Sequence, residues 1–150
     1  MLALLPANAA LPKDTLAEFI GVPPPYLAKQ MQMLSRAGIV SAKRGVAGGY
    51  RLARLPETIS LWDITAAIEG TKPSFRCTEV RQNGPCGASP KECLTPCKIA
   101  SSFRDAEEKF RQELRNVKLT ELVTSIAQDM TPERKHQISG WISHNAAGVS

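Results

Sequence analysis

The chain has 150 residues, of which 43% are hydrophobic and 22% charged, so it is long enough to build a folded core and too apolar to be disordered. Its net charge of +5 favours an acidic partner such as nucleic acid. It contains no run of about 18 apolar residues, which excludes a membrane-spanning helix, and its apolar start lacks the basic segment of a secretion signal. We therefore expect a cytoplasmic protein that has no membrane partner.

The positive charge is concentrated in the first third of the chain. Residues 13–54 hold seven basic and two acidic side chains, an excess equal to the whole net charge. An ordinary solvated face would also have this composition. The choice between a solvated face and a binding surface therefore depends on the motifs around these charges.

Two short helices are predicted in this basic region. "KDTLAEFI" (13–20) has apolar residues on one face, and "YLAKQMQMLSRAGI" (26–39) has apolar residues at spacings of four and three. Gly21 suits the end of the first helix, and Pro23–Pro25 suit the first turn of the second. Two helices joined by a tight turn that contains glycine predict a helix-turn-helix.

A β-hairpin follows directly. Val40–Lys43 and Tyr50–Leu52 are predicted strands, and the glycine-rich "RGVAGG" between them is a flexible tip. A hairpin in this position is a wing. In the next segment, "SLWDITAAIEG", Ser60 and Asp63 have the spacing of a helix capping box, and Gly70 ends the predicted helix.

All four cysteines lie in "CTEVRQNGPCGASPKECLTPC" (77–97), separated by eight, six and three residues. In a reducing cytosol, metal binding or redox sensing is favoured over structural disulfides. Zinc sites favour cysteines separated by two to four residues, a spacing that only Cys93 and Cys97 meet, so an iron–sulfur cluster ranks above zinc.

Thiol chemistry without a metal is the second interpretation of these cysteines. Cys93 and Cys97 could form a switchable disulfide. Lys91, Lys98 and the start of a helix near Ile99 would then lower the thiolate pKa.

The strongest helical pattern covers residues 99–117. Its apolar positions recur at steps of three and four and form one continuous stripe. A long amphipathic helix in a small chain suits a dimer interface, although it could also pack on its own domain. "KLTELVTSIAQDM" (118–130) predicts a further short helix, and residues 131–150 are interpreted as a polar tail. In that tail His136, Trp141 and His144 fit surface or packing positions better than ligand positions.

An enzyme is not predicted. No Cys-x-x-Cys lies in a βαβ context, both histidines are far from the cysteines in sequence, and "GVAGG" lacks the Lys-Ser/Thr of a phosphate-binding loop.

The order of these segments over about residues 1–123 resembles the Rrf2 family of bacterial winged-helix transcription regulators. The most specific parts are "RAGIVSAKRGVAGGYRLAR" and the cysteine block before the long helix. The family includes the iron–sulfur cluster regulator and the nitric-oxide-sensing repressor, both cluster-binding dimers, and members without a cluster. The resemblance implies a dimeric, non-enzymatic regulator of double-stranded DNA, with a repressor role.

The chain departs from the family pattern in three places. "MLALL" resembles only the end of a longer first helix, which puts part of the DNA-binding scaffold in question. Pro23–Pro25 replace polar residues at the start of the recognition helix, so sequence reading would depend more on Tyr26, Lys29, Gln30 and the wing. The wing tip has less glycine and proline than is usual in the family.

The resemblance also suggests functional residues. The resemblance implies that the second helix of the motif enters the major groove and that a wing arginine enters the minor groove. The DNA-binding candidates are Tyr26, Lys29, Gln30, Arg36, Lys43, Arg44 and Arg51.

Cys77, Cys86 and Cys93 fall where the family's three cluster cysteines lie. Cys97 comes one residue after the place of its histidine ligand, which Pro96 occupies. Four thiolates would hold a [2Fe–2S] or [4Fe–4S] cluster.

We therefore predict a mainly α fold: a winged helix-turn-helix with a small β-hairpin wing and a long C-terminal dimerisation helix. Residues 1–70 form the DNA-binding domain, 71–98 a cysteine-rich sensor loop, 99–130 the dimerisation region and 131–150 the tail. The predicted function is a dimeric DNA-binding regulator switched by an iron–sulfur cluster or by redox state. The alternatives are a metal-free thiol sensor and a winged-helix protein-interaction module.

Overall fold

The structure, a computed structural model, describes residues 1–43, 45 and 48–148. The chain divides into two compact units, one made of Met1–Gly70 with Arg115–Ser150 and the other of Thr71–Leu114. The helices are α1 (Lys13–Ile20), α2 (Pro24–Arg36), α3 (Leu61–Glu69), α4 (Lys98–Asn116), α5 (Leu119–Asp129) and α6 (Pro132–Asn145). Two strands, β1 (Val40–Lys43) and β2 (Gly49–Leu52), form one antiparallel pair.

The predicted helix-turn-helix is confirmed in α1 and α2. Gly21 ends α1 in the left-handed conformation, with φ of 75°, and its N–H donates to the Ala17 carbonyl at 2.9 Å. Pro23 is the N-cap of α2, and Pro24 and Pro25 occupy its first two positions, where a missing N–H costs no helical hydrogen bond. The turn between the helices is therefore encoded locally by one glycine and three prolines.

The predicted wing is also confirmed, and it pairs with distant segments. Within the hairpin Val40 lies opposite Leu52, and Lys43 lies opposite Gly49. Leu11 then forms a bridge with Tyr50, through backbone hydrogen bonds of 2.8 and 3.0 Å. Beside it, Ala10 and Ala147 form a second bridge. The segment around Leu11 is thus fixed to β2, and the segment around Ala147 is fixed to Ala10 beside it.

The core of the first unit lies between the helix-turn-helix and the hairpin. Its fully buried side chains include Leu11, Leu16 and Ile59. The complete buried cluster is Leu11, Leu16, Ala17, Leu27, Met31, Ile39, Val40 and Ile59. The buried apolar positions of α2, Leu27 and Met31, therefore face this core, and most of the polar positions of the helix lie at the surface.

The segment interpreted as a polar tail differs from that expectation, because residues 132–145 form α6. Thr131 caps the helix by accepting a hydrogen bond from the Arg134 N–H at 3.2 Å, and Pro132 occupies its first turn. Ile142 is buried, and the Trp141 ring lies 4.7 Å from the Phe19 ring of α1. Trp141 is thus a packing residue.

The second unit has little regular structure before α4. Short 3₁₀ turns at Val80–Gln82 and Pro90–Glu92 precede the long helix, and all four cysteines belong to this unit. In the part of the chain that the structure describes, no helix is long and apolar enough to cross a membrane.

Candidate nucleic-acid interface and thiol site

The outer face of α2 carries polar and aromatic side chains. Tyr26 is 57% exposed, and Lys29 and Arg36 are exposed on the same helix. The pattern that buries Leu27 and Met31 in the core leaves these three residues outside it, so they are available to a groove or to phosphates.

Gln30 is placed differently from its neighbours. Its side chain is half-buried, and its Oε1 is shielded from solvent without a hydrogen-bond partner among the described residues. To contact a base edge, this amide would have to leave its present position. An unsatisfied buried carbonyl oxygen costs about 1–3 kcal/mol, which favours such a movement when a partner is offered.

The start of α2 offers few backbone donors. Pro24 and Pro25 have no N–H, and the Leu27 N–H donates to the Pro23 carbonyl at 3.1 Å. The usual attraction of a helix N-terminus for phosphate, which needs free N–H groups, is weak here.

The wing adds two exposed cations, Lys43 and Arg51. The Arg51 Nε donates to the Ser41 hydroxyl at 3.3 Å, across the strand pair. Arg54, further along the chain, is instead paired with Asp63 at 3.6 Å and supports the start of α3. The predicted wing residue Arg44 lies outside the described residues.

The thiol site is centred on the buried side chain of Cys97, which directly precedes α4. The pKa of this thiol is lowered: the Ala100 N–H stabilises the thiolate most, burial opposes it, and the Ile99 N–H, the Arg81 charge and the Cys77 thiol add to the lowering. The start of the helix thus acts on Cys97 as the sequence suggested. The Cys77 thiol is one of the groups that lower the pKa of Cys97, and the pairing of Cys93 with Cys97 that the sequence suggested stays a prediction.

Arg81 supplies the positive charge at this site. Its guanidinium binds the Glu79 carboxylate through two hydrogen bonds, of 2.5 and 2.9 Å, and donates to the Thr95 carbonyl at 3.1 Å. The same guanidinium is close enough to Cys93 and Cys97 to be stabilised by their charges. Sequence reasoning considered lysines instead, and both Lys91 and Lys98 are exposed.

Glu79 holds Arg81 from an unusual backbone position. With φ of 52° it is the one non-glycine residue with positive φ among the described residues. Such a conformation costs roughly 1–2 kcal/mol in a non-glycine residue. Its N–H donates to the Cys77 sulfur at 3.4 Å, and the hydrogen bond from Arg81 lowers the pKa of its carboxyl.

Four thiolates would have to converge to hold a four-sulfur cluster. Cys77 and Cys86 are exposed, Cys93 is half-buried and Cys97 is buried. Among the described residues, no three histidine, cysteine, aspartate or glutamate side chains are grouped closely enough to hold a metal ion. The donor types suit a cluster, but the four thiols would have to move closer together to hold one.

The predicted stripe on α4 is largely uncovered. Ile99, Phe103 and Phe110 are 57%, 52% and 58% exposed, and no residue of α4 is buried. Phe103 is covered on one side by Phe75, whose ring stacks on it at 4.5 Å. Beside the stripe, Arg111 and Glu107 form an ion pair at 2.6 Å.

Sequence reasoning missed Glu79 and Arg81. A signal was present, since "EVR" lies between the first two cysteines and a basic residue among thiols is a natural partner for a thiolate. The path of the loop, which brings Arg81 to Thr95 14 positions away, cannot be read from a local sequence pattern.

Comparison with known proteins gives one consistent result. A family described as "Rrf2: Iron-dependent Transcriptional regulator" matches residues 1–125. A protein of Synechocystis named as an HTH-type transcriptional regulator is 37% identical over 121 residues, covering 81% of this chain and 76% of the relative. The HTH-type transcriptional repressor NsrR of Streptomyces coelicolor is 30% identical and covers 73% of this chain and 68% of its own. The solved structure of T. potens IscR has a TM-score of 0.64 at 22% identity, over 87% of this chain and 81% of that one, and shares the fold.

Proposed function

The chain belongs to the Rrf2 family of transcriptional regulators, and on that premise we propose that it is a dimeric DNA-binding regulator whose DNA affinity depends on the state of its cysteine-rich unit. The observation that carries the DNA-binding part is the outer face of α2, where Tyr26, Lys29 and Arg36 are exposed beside a wing bearing Lys43 and Arg51. A recognition helix needs this combination of an apolar inner face and a basic outer face.

The test is DNA affinity as a function of salt. Purified protein is titrated into a labelled mixed-sequence duplex of about 30 base pairs, long enough for two half-sites one turn apart, at several salt concentrations. Lys29→Ala and Arg36→Ala should each weaken binding and reduce the slope of log K against log salt by about 1. Arg134→Ala, which removes an exposed cation from α6, is the matched control and should leave the slope unchanged.

Binding that is absent, or that ignores salt, would contradict the proposal. It would favour a winged-helix module that contacts another protein.

The proposed dimer uses the apolar stripe of α4. Ile99 and Phe110 are more than half exposed in the single chain, and burying an aromatic or aliphatic side chain of this size contributes about 1.5–3 kcal/mol. A second copy of α4 offers the same stripe, so a two-fold arrangement covers both at once. Such a dimer presents two copies of α2 to two half-sites.

The proposed sensor is the cysteine-rich unit, and it has two candidate chemistries. The first is reversible thiol oxidation, supported by the hydrogen bonds through which Arg81 joins the segment after Cys77 to the segment before Cys97. The second is an iron–sulfur cluster on Cys77, Cys86, Cys93 and Cys97, favoured by the iron-dependent description of the family. The second requires Cys86 to join the other thiols.

Protein purified without oxygen separates these chemistries. A visible absorption band, with iron and sulfide in stoichiometric amounts, would support the cluster. Colourless protein without metal, also after attempted reconstitution, would leave the thiols as the sensor.

A further inference from the structure

The second unit brings the segment that carries Cys77 close to the segment that carries Cys97, although 20 positions separate the two cysteines in the chain. The Arg81 guanidinium donates to the Thr95 carbonyl at 3.1 Å, Cys77 and Ala100 line the same cavity, and the Cys77 thiol is among the groups that lower the pKa of Cys97. Cys77 is exposed, whereas Cys97 is only 7% exposed. A pair with one accessible and one protected sulfur has the arrangement of a reactive dithiol, in which the first sulfur meets the oxidant and the second completes the bond.

Access to Cys77 is open on one side. A cavity of about 450 Å³ lies beside it, lined by Pro73, Phe75, Ala100 and Arg104 among others. This space admits a small disulfide to the Cys77 sulfur, while the backbone N–H groups of Ile99 and Ala100 hold the Cys97 sulfur at the start of α4.

We propose that Cys77 and Cys97 are a redox-active dithiol, which small disulfides oxidise to an intramolecular bond, and that Arg81 is the positioning residue that keeps the two sulfurs together. This inference deepens the proposed function and rests on it only for the effect on DNA.

The reaction is two successive thiol–disulfide exchanges. The Cys77 thiolate attacks glutathione disulfide; a Cys77–glutathione bond forms, the glutathione S–S bond breaks, and one glutathione leaves. The Cys97 thiolate then attacks the Cys77 sulfur and expels the second glutathione. The protein loses two electrons and two protons, and the disulfide becomes two molecules of glutathione thiol.

Arg81 acts in the second exchange. By binding Glu79 and the Thr95 carbonyl, its guanidinium ties the segment after Cys77 to the segment before Cys97. Without this tie the sulfurs would meet less often, and the effective concentration of one near the other would fall. The first exchange, at the exposed Cys77, does not need Arg81.

Trypsin makes the pairing directly measurable. Cleavage after lysine and arginine puts Cys77 in "CTEVR", Cys86 in "QNGPCGASPK", and both Cys93 and Cys97 in "ECLTPCK". Reduced full-length protein is incubated with glutathione disulfide and thiol at set ratios, trapped in acid, alkylated, digested and analysed by mass spectrometry. A Cys77 bond joins two peptides, whereas a Cys93–Cys97 bond leaves one peptide lighter by two hydrogens.

The expected product joins "CTEVR" to "ECLTPCK". It should persist in Cys86→Ala and Cys93→Ala and disappear in Cys97→Ala, which should instead accumulate the Cys77–glutathione adduct. A bond inside "ECLTPCK" as the main product, a bond to Cys86, or no protein disulfide would overturn the inference.

The role of Arg81 has its own readout. Arg81→Ala should slow the second exchange about fivefold, as expected for losing a partly exposed charged tie, and leave the rate of adduct formation at Cys77 unchanged. Arg81→Lys should restore part of the rate, and Lys109→Ala, which removes an exposed cation of the same unit and leaves the cysteine peptides unchanged, should change neither step. Equal slowing of both steps, or of neither, would remove Arg81 from the proposal.

The disulfide pairing is measured without DNA, so its result does not depend on DNA binding. If the reduced protein fails to bind the duplex used above, the proposed function fails while the pairing result stands. If the pairing is wrong in a protein that binds DNA, only this inference fails.

Discussion

Gly49 combines a backbone conformation and a neighbour that exclude a side chain. Its φ is 157°, and a Cβ built on it would overlap the backbone carbonyl of Leu11. That carbonyl accepts the hydrogen bond from the Tyr50 N–H that fixes the N-terminal segment to β2. Gly49, the first residue of β2, therefore allows two backbones to approach each other closely.

We expect Gly49→Ala to destabilise the protein by about 1–3 kcal/mol, because the Leu11 backbone has to move. Denaturant unfolding of the full chain measures this. Gly140→Ala is the control: a Cβ there meets no atom within 4 Å, so the helix should gain about 0.5–1 kcal/mol. If both substitutions change the free energy of unfolding equally, the Leu11 backbone does not exclude a side chain at position 49.

Asp63 closes the capping box of α3. Its Oδ2 accepts from the Ser60 N–H at 2.9 Å, and its own N–H donates to the Ser60 hydroxyl at 3.1 Å. Burial alone would raise the pKa of this carboxyl, but the Ser60 hydrogen bonds and the Arg54 and Lys118 charges outweigh burial and lower it below the ordinary value of an aspartate. The ionised form is therefore the one that stabilises the fold.

Asp63→Ala should cost about 1 kcal/mol at neutral pH, a typical value for a lost cap. Because the folded pKa lies below the unfolded one, this contribution is complete above the unfolded pKa and disappears as pH falls through the folded value. The difference in the free energy of unfolding between wild type and variant is measured at neutral pH and near pH 2, with the exposed Glu57→Ala as control. A difference that stays constant with pH would show that the charge of Asp63 does not stabilise the fold.

Single residues were predictable where their partners are near in sequence. Ser60 and Asp63 are three positions apart, and both of their hydrogen bonds are present. Cys97 and Cys77 were recognised as thiols but not as neighbours, because the approach of their segments depends on the path of a loop with no periodic pattern. The same loop explains why Arg81, rather than Lys91 or Lys98, is the cation at the thiols.

At the scale of elements, apolar periodicity and the glycine and proline residues at helix ends predicted most of the helix and strand bounds. The predicted 13–20 coincides with α1, and α4 differs from the predicted 99–117 by one residue at each end. The helix α6 was not predicted because its polar residues obscure a weak apolar face. Thr131 followed by Pro132 is nevertheless a helix-start signal. The bridges of Ala10 with Ala147 and of Leu11 with Tyr50 join distant segments, and no local pattern reports them.

The stripe on α4 gives a prediction for the dimer. Phe110→Glu should shift the protein from dimer to monomer, because a carboxylate cannot be buried unpaired between two apolar stripes. Lys109→Glu introduces the same side chain off the stripe and should leave the dimer intact. Sedimentation of both variants measures the mass in solution. A Phe110→Glu protein that remains a dimer, or a wild type that sediments as a monomer, would contradict the proposed interface.

At the scale of the whole molecule, the chain leaves the first unit after Gly70 and returns to it at Arg115. The return is fixed at Lys118, which bridges Ser60 at the cap of α3, with backbone hydrogen bonds of 2.9 and 3.0 Å on either side. The cysteine-rich unit is thus an insertion in a winged-helix domain. Chemistry at its thiols can act on DNA binding only if the two arrangements of the insertion differ in their affinity for DNA.

One measurement tests this coupling most directly. Duplexes that bind the reduced protein are first enriched from a random-sequence library, and their affinity is then measured for the reduced and the glutathione-oxidised protein at one salt concentration. We predict that oxidation changes the dissociation constant by at least about tenfold, within the usual range of allosteric coupling. Cys77→Ala and Cys97→Ala should not respond, and Cys86→Ala should respond like the wild type. Equal affinities of the reduced and oxidised wild type, with the disulfide shown to be complete, would contradict the account.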